Sequence, residues 1–154
     1  MTWNAFRTRG EILRDVTAVA DVRPDGTLPW DVDGVARTFA DELDLVGALQ
    51  LRWHTRLAGR IERELMHQPL DLELAVIAAW RATAHELPGI RAIIDHHLDQ
   101  PLDREMAEAM SAATTKEHEL LAVMAGRASL GDPRAARAGA EVEARARAHV
   151  VLAA

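Results

Sequence analysis

Glu117 is the residue least in keeping with its surroundings. On a helix its neighbours are Met110, Ala113, Leu120, Leu121 and Met124, so it falls on an apolar stripe. Glu86 stands among Ala79, Ala82, Ile90 and Ile93 in the same way. Glu42 stands among Phe39, Leu45, Val46 and Leu49, and His54 among Leu51, Leu57, Ala58 and Ile61. A carboxylate taken out of water is costly unless it is paired or hydrogen-bonded. Each of these side chains therefore requires a partner.

One class of partner is a metal ion. If the turn between two antiparallel helices centres near Pro69, His54 lies 15 residues before it and His85 16 after it. If the next turn centres near Gln100, Glu117 lies 17 beyond it and Thr83 17 before it. His54, His85, Glu86, Glu117 and His118 then share one depth. Helical bundles build metal sites from histidines and carboxylates on facing helices. The candidate ligands are His54, His85, Glu86 and Glu117, for a transition metal of unspecified identity. The ferritin-like di-iron pattern needs Glu-x-x-His on two helices, and this chain has one such tetrad, Glu64-Leu65-Met66-His67. The alternative is that Glu86 and Glu117 pair with Arg52, Arg56 or Arg81, or accept from a Trp indole, as ordinary internal contacts.

Other polar clusters read as structural. His96 and His97 are adjacent, so on a helix they point about 100° apart and share no metal. Asp95 is four residues after Arg91, the spacing of a helix-surface ion pair. Trp53, Trp80 and the methionines Met106, Met110 and Met124 sit at core spacing. No phosphate loop, Gly-x-Ser-x-Gly turn or base beside Ser111 or Ser129 is present, and the reading leans away from an enzyme. There is no cysteine, hence no disulfide, thiolate site or cysteine nucleophile.

The elements that position these residues are helices. The fold predicted is all-α: a bundle of four to five mainly antiparallel helices, with a long second helix and a Pro-kinked third. The first helix is expected from about Ala5 to Val22. The second runs from about Gly34 to His67, about 50 Å long. Its stripe is Val35, Phe39, Leu43, Val46, Leu49, Trp53, Leu57, Ile61 and Leu65, and a second face carries Gly47, Leu51, His54 and Ala58. The third runs from about Leu70 to Leu98, with a kink or short break at Pro88-Gly89. The fourth runs from about Leu102 to Arg127. Residues 1–130 are read as the bundle core. Residues 131–154 form an Ala/Arg-rich helix or tail, loosely docked, with Arg134, Arg137, Arg145 and Arg147 on a solvated face.

Gln68-Pro69-Leu70-Asp71-Leu72-Glu73 returns as Gln100-Pro101-Leu102-Asp103-Arg104-Glu105, and Pro29-Trp30-Asp31 echoes both. Shared capping chemistry accounts for this, with proline and acids at the start of a helix. A true helical repeat would persist beyond the cap.

The formal net charge of −6 opposes nucleic acid and anionic lipid as partners. The longest apolar run, Leu74 to Trp80, is seven residues, against the roughly 20 that span a membrane. The N-terminus lacks a signal-peptide pattern, and a cytoplasmic location is expected. The leading functional expectation is a non-catalytic bundle acting through protein–protein contacts or self-assembly as a homo-oligomer. It rests on the two-faced second helix and the thinly apolar tail. The alternative is a bundle with a buried His/Glu metal or small-ligand site.

Overall fold

In the computed structural model residues 7–152 are described, with side-chain surroundings given up to Ala148. The described residues are all-α and contain no strand. In chain order the helices are α1 (Arg9–Val22), α2 (Val35–Thr38), α3 (Glu42–His67), α4 (Leu72–Glu86), α5 (Pro88–Asp99), α6 (Arg104–Met124) and α7 (Ala135–Leu152).

Local chemistry fixes the boundaries. Thr8 and Glu11 form a capping box: the Glu11 amide donates to the Thr8 hydroxyl at 3.2 Å, and the Thr8 amide donates to the Glu11 carboxylate at 2.7 Å. This starts α1 later than the apolar pattern suggests, and Ala5 and Phe6 lie outside the described residues. The expected second helix is two pieces. Gly34 adopts φ +90°, a conformation that favours glycine, and leads into the single turn of α2. Phe39 is extended, and α3 then starts afresh. The Asp44 amide donates to the Asp41 carboxylate, and the Asp44 carboxylate accepts from the Ala40 amide. A continuous apolar stripe thus crosses a helix break at which Asp41 and Asp44 bind the backbone.

At Pro88 the expected interruption is a break. Leu87 is non-helical and Pro88 opens α5, where its missing N–H costs nothing. The Gly89 amide donates to the Asp21 carboxylate at 2.9 Å, which pins the new helix to the end of α1. Asp71 and Asp103, the equivalent residues of the repeated hexapeptide, play one role. Asp71 accepts from the Leu74 amide at 3.0 Å and Asp103 from the Met106 amide at 2.8 Å. Both are N-caps. The recurrence is capping, and its prolines stand outside the helices they precede.

The described chain divides into two compact units. One comprises the chain up to Trp53 together with Leu87–Ala107; the other comprises His54–Glu86 together with the chain from Glu108 onward.

In the first unit α1 packs on α5. Ile12, Val16 and Ala20 from α1 and Ile90, Ile93 and Ile94 from α5 are buried. So are Phe39, Val46, Leu49 and Trp53, all on the expected stripe. Arg91 is buried as well, its guanidinium 4.5 Å from the Trp53 ring centre and bound to Asp95 at 2.9 Å. The Arg91–Asp95 pair forms at its expected spacing, but its cationic end is stacked in the core.

In the second unit α4 packs on α7. Leu57, Ile61, Val76, Ala79 and Trp80 are buried with Met110 and Leu121. α7, short of large apolar residues, buries Ala135, Gly139, Val142 and Ala146 instead. These small residues recur at steps of three and four, so the backbone itself approaches its neighbours. Glu73 of α4 binds Arg127 at 3.0 Å and also pairs with Arg145 of α7, while Arg127 binds Glu141 at 2.6 Å. Arg147 lies 4.8 Å from the Trp80 ring centre and 3.4 Å from Glu143. Arg145, exposed as expected, thus reaches Glu73 of α4, and Arg147, half-buried, stacks on Trp80.

Candidate functional site

His54, His85, Glu86, Glu117 and His118, expected at one depth, all fall in the second unit. Their surroundings differ. His85 is exposed. Glu86, half-buried, is held between two guanidinium groups of α3, Arg60 at 2.8 Å and Arg56 at 3.1 Å. Pairing with Arg56 follows the ordinary-contact reading of the sequence; Arg60, one turn further on, completes the clamp. Glu117 is only 6% exposed, as its place on the Met110–Leu121 stripe implies. His118 faces Glu143 of α7 at 3.5 Å. Among the described residues no group of three or more histidine and carboxylate side chains is gathered where an ion could be held. Glu64 and His67, the lone Glu-x-x-His pair, lie at the end of α3 with His67 exposed.

His96 and His97 also part company. His97 is buried with Nδ1 2.7 Å from the Ile93 carbonyl oxygen, whereas His96 is exposed.

His54 has a different setting. It lines a pocket of about 450 Å³ within the second unit. Lys116 and Glu119 of α6 line it too, with Asp132 from the connection that precedes α7. The apolar lining comes from Leu120 and Val123 of α6 and from Leu130 and Pro133. Lys116 and Glu119 are three residues apart, which places them on one helix face. Among the described residues His54, Lys116 and Glu119 make no ion pair or side-chain hydrogen bond. Asp132 is already engaged: its carboxylate accepts from the Arg134 amide at 2.8 Å and meets the Arg134 guanidinium. The amide bond holds the Asp132 carboxyl below the usual range, so it stays anionic. Sequence reasoning singled out His54 as a metal ligand and missed this grouping. One signal was there: Lys116 is the only lysine among eighteen basic residues.

A second feature is a run of exposed apolar residues around the turn from α3 to α4. Leu70 is 100% and Met66 81% exposed, and Leu72 and Leu74 are also open. On the second face of α3, Leu51 is exposed as well.

Comparison with known protein families, with curated proteins and with solved structures finds no match to this chain. Among the described residues no helix is long and apolar enough to cross a membrane.

Proposed function

We propose that this chain is a helical-bundle protein that acts by protein–protein contact, and that its partner is a second copy of itself. The observation that carries this is the exposure of four large apolar residues, Met66, Leu70, Leu72 and Leu74, within the short stretch about the α3–α4 turn. Apolar side chains gathered in one exposed place mark contact surfaces more often than scattered ones do. Glu62 and Arg63, both exposed, stand beside this stretch with opposite signs. A surface carrying both charges beside an apolar centre can complement itself about a two-fold axis. Light scattering on the eluting protein tests this. Self-association that Leu70→Glu abolishes supports it; a monomer at high micromolar concentration refutes it.

A second reading is a small-ligand site. The pocket beside His54 favours it over the metal version, since of the expected ligands only His54 lines that pocket. His85, Glu86 and Glu117 then have the structural roles of a surface histidine, an arginine-bound carboxylate and a core acid.

A further inference from the structure

The pocket of the second unit presents a particular set of charges. On α6 it offers an ammonium at Lys116 and, one turn on, a carboxylate at Glu119. An imidazole, His54, faces the same space from α3. None of these has an ion pair or side-chain hydrogen bond among the described residues. The other carboxylate, Asp132, is committed to Arg134. Leu120, Val123, Leu130 and Pro133 supply an apolar lining. A volume of about 450 Å³ lies within the range of small-molecule sites.

The charges decide the class of ligand. A simple anion would be drawn to Lys116 and repelled by Glu119. A simple amine would meet the reverse. An uncharged apolar molecule would pair with neither charge. A small zwitterion with an apolar body satisfies all three elements. We propose that this pocket binds an aliphatic α-amino acid, its carboxylate held by Lys116 and His54, its ammonium by Glu119, and its side chain laid on Leu120 and Val123. This rests on the small-ligand reading and assigns it a chemical class.

The test is a nuclear magnetic resonance titration of the full chain with leucine, isovalerate and isoamylamine, which share an aliphatic body and differ in charge. Leucine is expected to give saturable shifts centred on His54, Lys116, Glu119 and Val123, with affinity about tenfold above either comparator, the scale of one charge-assisted contact. Lys116→Met is expected to bring leucine down to the level of isoamylamine, and Glu119→Gln to that of isovalerate. Both positions are exposed, so neither substitution threatens the fold. Saturable binding with equal affinity for leucine and one comparator overturns the amino-acid assignment but leaves a small-ligand site. Absence of saturable shifts at these residues with all three probes overturns the ligand site itself.

Discussion

Gly139 of α7 lies against the main-chain carbonyl of His118 in α6, with no room for a β-carbon between them. A methyl there would also come within 2.7 Å of the His118 Cα. The obstacle is backbone, which cannot swing aside as a side chain can. Gly139→Ala is therefore expected to destabilise the protein by about 2 kcal/mol or more, the upper part of the range for overpacking. Gly47→Ala and Gly59→Ala provide the contrast. Both sit in α3 with nothing within 4 Å of the added atom, and each is expected to stabilise by about 0.5–1 kcal/mol. Urea denaturation of the three variants measures these differences, and a neutral Gly139→Ala would contradict the close approach of α7.

The Gly139 contact also explains where the sequence was hard to read. Large apolar residues at steps of three and four revealed the stripe of α3, and Val46, Leu49, Trp53, Leu57 and Ile61 are indeed buried. The packing face of α7 is equally periodic but is written in Ala, Gly and Val. Small residues also occur on exposed helix faces, so their spacing alone does not announce contact. The break before α3 was hidden because the same stripe continues through Phe39. For the site, periodicity placed Glu117 on the buried side correctly. It offered Arg56 among the possible partners of Glu86, but gave no direction for the side chains, and so could not foresee that Arg60 completes the clamp or that His54 turns to the pocket.

Glu117 is buried at 6% exposure in the second unit, and a buried carboxylate holds its place through its interactions. Glu117→Ala is expected to cost about 2–3 kcal/mol, because it strands the partner of a charged group. Glu117→Leu continues the apolar stripe and is expected to cost less. Chemical denaturation of both variants checks the order; equal and negligible effects would mean that the carboxylate makes no net contribution.

Asp71 and Asp103 cap α4 and α6 through the same bond to the amide three residues on. Alanine at either position is expected to cost about 1 kcal/mol, and asparagine much less, since it retains the accepting oxygen. Thermal melts of the four variants test this. A full loss with asparagine would point to the charge rather than the hydrogen bond.

Stability is expected to fall on the acid side. The Glu11 carboxyl is held below its ordinary range chiefly by the Thr8 amide, and that of Glu141 by the Arg127 guanidinium. A carboxyl whose folded pKa is depressed contributes stability that is fully present above its unfolded value of about 4. That contribution is lost as pH falls through the lower folded value. Glu11→Gln should therefore lower the melting temperature at neutral pH, with the difference shrinking below about pH 4. Both groups are exposed, so the effect is modest. A difference that grows on acidification would contradict the assigned direction.

Self-association through the α3–α4 turn is tested most directly by the solution mass. Sedimentation equilibrium of the intact chain is expected to return a mass above the 16.9 kDa of one copy at micromolar concentration. Leu70→Glu and Met66→Glu, at positions too exposed to affect the fold, are expected to return the monomer with unchanged helicity. A parent protein that stays at 16.9 kDa up to high micromolar concentration, or association that survives both substitutions, would contradict the account.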